Sequence, residues 1–518
     1  MRKSFCLFAA VALFFVCGCD FNEKSSIKNT TLEIDSSQGE KVYFMAASMD
    51  SADIPAGSVP QFDFNTARNA VAEKNSFSVQ KAAAPRNLQR YAENVSKMNL
   101  ELVRSLNSSE RAAANVAYKT KIFNPENTNT SVELLVNENS FETRTEETER
   151  VYSGEHCNVF FVKNGDFNIT KSQLSSVFET LGNLFDEKIF PNITDILGKF
   201  SYSKISEKLI NCPKKVNIVV ADLYYNWKES ENGGVYGYYW GADFRKDYSC
   251  NQDAIIYLDS YFLSKSPESI YSTMAHEFNH MLNYINKGLE NILKYSTWYT
   301  EMLSALADAM FENYLVENLA EDQSITSSRI PYFNTWHNLG FSTWRSGTEY
   351  YPYGDVYISY GNVFAFGNFL AKNYGGFELI KEIATNRYVD EESVVQAVRK
   401  ITGKSSITFK DILKDFSCVQ ITNWLDEDSL PTLNKKVAYS KNESIYLPAI
   451  KSSLAFFKDD NYTFYPDSAF CSSNKPCTPV VLGQYGFLLY RYFYGAISSI
   501  EASYDLDYNA FPYTVIGK

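Results

Sequence analysis

The amino-acid sequence predicts an α+β fold in which a small mixed sheet supports a helix that carries two histidines. Short runs of β-branched and aromatic residues between positions 157 and 258 predict the strands of this sheet. Residues 266–416 show helical periodicity almost without interruption, so we expect a mainly α-helical region after the sheet. Short strand-like runs with turn residues between them then predict a β-rich C-terminal domain over residues 431–518.

The first eighteen residues have the pattern of a secretory signal. A positive start at Arg2 and Lys3 precedes an apolar run over residues 5–16, which is too short to span a bilayer as a mature helix. The run ends in Val-Cys-Gly-Cys19, which resembles the lipobox of bacterial lipoproteins, where the final Cys is acylated. We therefore expect export and lipid anchoring through Cys19, on the outer surface or the periplasmic face of the cell envelope. An ordinary cleaved signal is the alternative.

Two segments lie between this signal and the sheet. Residues 19–85 are rich in Ser, Asn, Lys, Glu and Ala and have few bulky apolar clusters, which predicts a poorly ordered tether. Residues 86–150 predict a helical N-terminal region followed by a linker, because apolar residues recur at helical spacing up to Tyr118. Within that linker, residues 131–136 predict one strand.

Residues 151–288 contain the predicted sheet and the helix with the two histidines. The expected strands cover residues 157–162, 215–221, 236–240 and 254–258, and an amphipathic helix over residues 172–185 separates the first two. Residues 215–221 are β-branched on both faces, which is typical of a central strand. Residues 289–430 form the predicted helical lower half of the same domain.

The charge of the chain argues against one class of partner. Its 49 Lys and Arg and its 61 Asp and Glu give a formal net charge of −12 at pH 7. Nucleic-acid binding needs basic patches that neutralise phosphates, so we expect no nucleic-acid partner.

The chemistry is concentrated in one helix, which Ser266 can cap and Pro267 can begin. His276 and His280 are four residues apart, so both rings project from one face and can hold one metal ion. Glu277 lies beside them, where its carboxylate can accept a proton from water. We therefore predict one Zn²⁺ ion held by the two histidines, with Glu277 as general base. The alternative is two histidines that only pack, but a chain with four His rarely shows this spacing by chance.

A third ligand is expected further along the chain. The metzincin pattern, with a Gly and a third His close downstream, is excluded because Asn283 and Asn286 stand at those positions. Glu301 lies far enough beyond His280 for the chain to turn and bring a carboxylate beside the histidines. The alternative is a solvated Glu that favours the start of its helix.

Two further acidic residues enter this prediction. Asp308 lies two turns beyond Glu301 on the same helix face and could accept a hydrogen bond from a ligand imidazole. An ordinary polar helix residue is the alternative for Asp308. Asp355 is the next candidate ligand if Glu301 does not bind the metal.

The segments around these residues carry a family resemblance. The sequence HEFNHMLNYI at residues 276–285 is followed by WYTEMLSALAD at residues 298–308. With GYYWGADF upstream and residues 359–376 downstream, they resemble the hyicolysin family of gluzincin zinc metallopeptidases, which are often secreted or surface lipoproteins of bacteria. The resemblance covers about residues 157–376. It implies a thermolysin-like arrangement, with the sheet above, the helical half below, and a cleft for a peptide or protein substrate between them.

Two softer predictions concern that cleft. Residues 236–240 could form an edge strand that holds the substrate backbone by β-augmentation, although simple sheet packing explains the same pattern. A developing oxyanion needs a hydrogen-bond donor, for which Tyr360 and His337 are the candidates.

Two other functions remain open at this point. A zinc aminopeptidase is one, but the Gly-x-Met-Glu-Asn pattern that such enzymes carry upstream of the histidines is absent, which favours an endopeptidase. A non-catalytic surface adhesin or structural lipoprotein is the other. The intact Glu277 argues against it, because a purely structural metal site has no use for a general base.

Overall fold

The computed structural model describes residues 28–33, 41–48, 63–65, 98–99, 101–103, 105, 118–137, 142–163, 169–223, 235–315, 325–345, 356–425, 431–450, 484–492, 499–504 and 510–517. The predicted signal, Cys19 and Asp355 lie outside these residues.

The strands are, in chain order, β1 (Lys28–Glu33), β2 (Lys41–Ser48), β3 (Asp63–Asn65), β4 (Asn129–Asn137), β5 (Glu142–Ser153), β6 (Cys157–Val162), β7 (Val216–Ala221), β8 (Gly237–Tyr239), β9 (Ile255–Asp259), β10 (Val437–Tyr439), β11 (Asn442–Leu447), β12 (Phe487–Tyr492), β13 (Ser499–Tyr504) and β14 (Ala510–Gly517). The helices are α1 (Ser175–Leu184), α2 (Phe190–Leu197), α3 (Ser260–Lys265), α4 (Pro267–Asn283), α5 (Thr297–Leu315), α6 (Ile325–Trp336), α7 (Val356–Tyr374), α8 (Gly376–Thr385), α9 (Asp390–Thr402) and α10 (Phe409–Leu425).

A six-stranded mixed sheet is formed within residues 129–259, with the strand order β4-β5-β6-β7-β9-β8. The strands β6, β7 and β9 run parallel, and every other neighbouring pair in this sheet is antiparallel. Every residue of β6, β7 and β9 is buried, as the largely apolar sequences of these parallel strands predict. The α+β class and the four strands expected from the sequence are therefore present.

The sheet begins earlier in the chain than the sequence predicts. The expected boundary between residues 150 and 151 falls inside β5, and β5 pairs with β4 on one side and β6 on the other. The sequence of β5, ETRTEETERVYS, contains almost no apolar residues, so it gives no strand signal of its own. Pairing with its apolar neighbours places it in the sheet.

Helices cover one face of this sheet, and further helices form the region after it that the sequence predicts to be mainly α-helical. The helix expected over residues 172–185 is longer in the structure, because α1 continues through a π-helical turn (Phe185–Ile189) into α2. Helices α5 to α10 follow, and their core is rich in stacked and edge-to-face aromatic rings. In the part of the chain that the structure describes, every helix is too short or too polar to cross a membrane.

The two ends of the chain pair with each other. Strand β2 lies between β12 and β14, and β13 lies between β1 and β3. Residues 19–85 thus contain three strands where the sequence predicts a poorly ordered tether, and each of them pairs with a strand that follows residue 484. The apolar run of β2, KVYFMAAS, is the signal for this pairing within an otherwise polar segment.

The C-terminal segment is fixed to the helical half at Tyr485. Its buried ring lies against the rings of Trp298, Phe341 and Phe409, and its hydroxyl donates a hydrogen bond to Glu391. Gly340 has φ +67°, and a Cβ built there would stand 2.0 Å from the carbonyl oxygen of residue 484. Glycine therefore permits the close approach that seats this segment.

Candidate metal centre

Helix α4 carries the two histidines from the sheet into the helical half. Pro267 occupies its first turn, as expected, while the hydroxyl of Ser266 lies 3.1 Å from the hydroxyl of Ser269 instead of capping a backbone amide. Met274 and Phe278 are fully buried, so the apolar face of this helix packs in the hydrophobic core. The helix ends at Asn283 and leads directly into a π-helical turn, Tyr284–Leu289.

Helix α5 packs against α4 and brings Glu301 to the same place. The amide of Asn279 on α4 donates to the hydroxyl of Ser304 on α5 at 2.8 Å, which ties the two helices together beside the histidines. The loop before α5 is held by Asp390, whose carboxylate accepts from the backbone amide and the hydroxyl of Ser296. Glu301 is 1% exposed, so it is not the solvated helix-start residue that the sequence left open.

The ligand atoms of His276, His280 and Glu301 converge. The two Nε2 atoms are 3.0 Å apart, and the carboxylate of Glu301 lies 3.3 Å from Nε2 of His276 and 3.6 Å from Nε2 of His280. Ligand atoms at zinc bond lengths of about 2.0–2.1 Å in a tetrahedral arrangement are about 3.3 Å apart, so these separations fit one ion. Two nitrogens and one carboxylate oxygen are also the donor set of catalytic zinc sites that leave a position for water or substrate.

Each histidine is held at its other ring nitrogen by a residue of α5. Nδ1 of His276 lies 2.8 Å from the carboxylate of Asp308, and Nδ1 of His280 lies 3.0 Å from the hydroxyl of Thr300. The Thr300 hydroxyl also accepts a hydrogen bond from the amide of Asn283 at 3.2 Å. A carboxylate only accepts, so Nδ1 of His276 donates to Asp308, which leaves Nε2 of the neutral ring as the nitrogen that can bind a metal ion. Nε2 of His280 lies 3.0 Å from this atom, so the two nitrogens are close enough to bind the same ion.

The pKa values of the ligand residues also fit a site for a cation. Burial acts to raise the pKa of Glu301, but His280 and His276 outweigh it and hold the pKa far below its ordinary value. Burial acts to lower the pKa of His276, but the carboxylates of Asp308, Glu301 and Glu277 outweigh it and raise the pKa. An ionised carboxylate inside the protein needs a compensating positive charge, which protonated histidines supply here and which a bound cation would supply in their place.

Glu277 is buried beside this cluster. Its position on α4 differs from that of His276 by one residue, so its side chain leaves the helix in a different direction from the ligand rings. Burial raises the pKa of its carboxyl group, and the neighbouring His276 and His280 oppose that rise. A carboxyl group with a raised pKa is better suited to accept and release a proton near neutral pH.

The structure places the two oxyanion candidates in different surroundings. The ring centroid of Tyr360, on α7, is 6.4 Å from that of His276, and the charges of Glu301 and Glu277 reinforce the effect of burial in raising the pKa of its hydroxyl. His337 lies in the turn after α6, with Nδ1 3.3 Å from the carbonyl oxygen of Asn334. Burial lowers the pKa of His337 to about 4, against the opposing effect of the carbonyl groups nearby.

The strand predicted over residues 236–240 lies at one edge of the six-stranded sheet, as β8. β8 pairs with β9 alone among the described strands, and it packs against α4. A Cβ built on Gly237 would lie 2.8 Å from the carbonyl oxygen of Tyr257 and 3.0 Å from the methyl group of Thr273, so glycine allows this close packing.

Sequence reasoning missed Thr300 and Arg329. The only signal for Thr300 is that it precedes Glu301, since nothing local to α5 shows that its hydroxyl meets a ring from another helix. Arg329 lies on α6, with its guanidinium carbon 4.2 Å from the centroid of the Tyr360 ring, and no sequence pattern marks it.

Comparison with known proteins gives two matches. The model of a family described as Peptidase M30 matches residues 138–458, which is more than half of the chain. A protein named "Neutral metalloprotease ShpI", from Staphylococcus hyicus, is 27% identical over 331 residues, which cover 61% of this chain and 67% of the relative. The family match includes α4 and α5, and therefore the whole cluster of His276, Glu277, His280 and Glu301.

Proposed function

Since the chain belongs to the peptidase M30 family and is a metallopeptidase, we propose that it is a zinc endopeptidase with Glu277 as general base. One observation carries this proposal: the ligand atoms of His276, His280 and Glu301 all lie within 4.8 Å of one another, and the buried Glu277 adjoins them. This is the hyicolysin-like and gluzincin chemistry that the sequence resemblance implies.

The three ligands define what the ion would do and leave the proton transfer to the protein. A zinc ion bound by His276, His280 and Glu301 supplies a Lewis acid that lowers the pKa of water and polarises a carbonyl group. Glu277 accepts the proton of the attacking water and passes it to the amine that leaves when the peptide C–N bond breaks. Asp308 and Thr300 keep the two imidazole rings in the orientation that presents Nε2.

Tyr360 is the donor that we assign to the developing oxyanion. Its ring adjoins that of His276, and burial together with the charge of Glu301 raises the pKa of its hydroxyl, so the hydroxyl stays protonated and able to donate. His337 is the second candidate. Its Nδ1 faces a backbone carbonyl in the turn after α6, which favours Tyr360 over it.

A thermolysin-like cleft completes the proposal. The sheet would form the upper wall and helices α5 to α7 the lower wall, with the edge strand β8 offering backbone groups to an extended peptide. The lipobox-like residues that end in Cys19 support export and a lipid anchor on the envelope.

The test is hydrolysis of casein and of an internally quenched peptide by the purified protein, with and without a chelator. We expect hydrolysis that the chelator abolishes and Zn²⁺ restores, with one zinc per chain. Glu277→Gln keeps the size of the side chain but removes the basic oxygen, so turnover should fall by about two to four orders of magnitude. Zinc content and the unfolding temperature should stay close to those of the unsubstituted protein.

Glu268→Gln is the matched control, because Glu268 lies in the first turn of the same helix. It should leave hydrolysis, zinc content and unfolding temperature unchanged. Equal hydrolysis by the parent protein and Glu277→Gln at equal zinc content would mean that the activity arises elsewhere. Peptides blocked at the N-terminus separate the endopeptidase from an aminopeptidase, because only an endopeptidase cleaves them. An adhesin would cleave none of the substrates.

A further inference from the structure

A second charged group lies next to the metal centre. The guanidinium carbon of Arg329 is 4.2 Å from the ring centroid of Tyr360 and 5.6 Å from that of Tyr357. Tyr360 in turn lies beside His276. One aromatic ring therefore separates this positive charge from the ligand cluster.

The guanidinium of Arg329 has buried nitrogens without a hydrogen-bond partner. Among the residues that the structure describes, nothing accepts from its Nε or its Nη1. A guanidinium stays charged at any physiological pH, and buried N–H donors without acceptors are costly even where aromatic rings lie against the group. Arg245 shows what the same group looks like when it is structural: it forms an ion pair with Asp247 at 2.7 Å and also donates to the carbonyl oxygen of Leu102.

The charge of Arg329 also acts on a residue next to the edge strand β8. Burial raises the pKa of Tyr236, which immediately precedes β8, and the charge of Arg329 opposes that rise. Tyr236 and Tyr357 are 40% and 41% exposed, so two tyrosine rings stand open to solvent near this cation. The charge thus adjoins Tyr360 and acts on a residue next to the edge strand, where a peptide backbone would pair.

We propose that Arg329 binds a carboxylate of the peptide substrate close to the scissile bond. This inference rests on the proposed function, because it assigns a specificity to the same cleft. Guanidinium and carboxylate groups match in shape and charge, and their hydrogen bonds are stronger than those between neutral groups. The carboxylate is either that of an acidic side chain or that of the substrate's C-terminus, and both present the same group to Arg329.

The experiment compares paired peptides. One pair has Glu or Gln at a position next to the scissile bond, scanned on both sides, with both termini blocked. The second pair has Gln at that position and a free or an amidated C-terminus. For one of the two pairs, kcat/KM should be about 10- to 100-fold higher for the peptide with the carboxylate. The pair that shows the preference identifies the source of the carboxylate.

Substitutions then assign the preference to Arg329. Arg329→Gln should reduce the ratio within that pair to near one, and Arg329→Lys should keep part of it, because it retains the charge without the planar donors. Arg387→Gln is the matched control, since Arg387 also lies against a tyrosine ring, that of Tyr388, but in the exposed loop between α8 and α9. It should leave the ratio unchanged. A ratio of one for the unsubstituted enzyme, or an unchanged ratio in Arg329→Gln, would overturn the proposal.

A binding measurement separates this proposal from the proposed function. The same paired peptides are titrated into the Glu277→Gln protein and into Glu277→Gln combined with Arg329→Gln, and dissociation constants are read by calorimetry. Tighter binding of the carboxylate peptide that disappears in the double variant supports Arg329 even if no peptide is cleaved. Equal binding of all the peptides refutes the role of Arg329 while leaving the peptidase activity to its own test.

Discussion

At the residue scale, the candidate metal centre depends on α5 as much as on α4. Helix α4 supplies His276 and His280, whereas α5 supplies Glu301 and the groups at both Nδ1 atoms, Asp308 and Thr300. Substitution of a ligand should lower the metal affinity more than substitution of a residue that only orients a ligand. The first change removes a bond to the ion, whereas the second removes only an orienting contact.

We therefore expect a graded series of metal affinities. Glu301→Ala should abolish retention of zinc through dialysis, while Asp308→Ala should weaken zinc binding by about 10- to 100-fold. Thr300→Val should have an effect of the same kind at His280. Zinc per chain after dialysis against a graded chelator measures all three, with Glu268→Ala as control. Loss of zinc from Asp308→Ala but not from Glu301→Ala would contradict the assignment and make Asp355 the next ligand to test.

How far the sequence reaches at this scale depends on whether a relation is local. The spacing of His276 and His280 fixes a shared helix face, so their convergence could be predicted from the chain alone. The approach of Thr300 to His280 and of Arg329 to Tyr360 depends on how separate helices cross, and no local pattern encodes that. Glu301 lies between these cases, because only the resemblance and the distance along the chain pointed to it.

At the element scale, the π-helical turn after α4 holds a buried cation. The ammonium group of Lys287 donates to the backbone carbonyl oxygens of Ile383, Asn386 and Tyr388, at the end of α8 and just beyond it. The turn therefore ties the helix that carries the histidines to the helical half.

Replacement of Lys287 by Met should lower the free energy of unfolding by about 1–3 kcal/mol at pH 7, because carbonyl oxygens lose their donor. Burial lowers the pKa of Lys287 to about 7 from its ordinary 10.5. Between those pH values the unfolded chain binds more protons than the folded one, so Lys287 adds stability as the pH rises. Unfolding by denaturant should show the difference between parent and variant growing by up to about 2 kcal/mol from pH 7 to 9.

Lys294→Met is the control for this experiment, since Lys294 lies exposed in the loop before α5. It should have no pH-dependent effect. A difference between the parent protein and Lys287→Met that stays constant from pH 7 to 9 would show that Lys287 titrates as an ordinary lysine.

The elements that the sequence predicted well are those that are apolar on both faces. The apolar sequences of β6, β7 and β9 predict buried strands, and the predicted ends of these strands differ from the observed ends by at most one residue. Strand β5 gives no such signal, because its place depends on backbone pairing with two neighbours and not on its own side chains. Strand β2 carried the signal, but its pairing partners lie at the other end of the chain.

At the scale of the whole molecule, the lipid prediction concerns how the enzyme is held at the envelope. Cys19→Ala should release the protein from membranes and abolish incorporation of labelled fatty acid, because the acylated thiol is gone. Cys17→Ala is the matched control and should keep both, since Ala is common at that lipobox position. Membrane fractionation and labelling measure the outcome. Unchanged labelling of Cys19→Ala would remove the lipobox from consideration.

The pairing of β2 with β12 and β14 connects the N-terminal part of the chain to its C-terminal part through backbone hydrogen bonds, in addition to the covalent chain. Suppose that a protease cuts one peptide bond between residues 66 and 97. The polypeptide then has two pieces, but the smaller one still contributes three strands that are hydrogen-bonded to the end of the larger one. The hydrogen bonds between these strands hold the two pieces together after the peptide bond is cut. If Cys19 carries lipid, as we propose, a nicked chain would stay attached to the membrane through these strands, and only unfolding of the sheets would release the part that carries the metal centre.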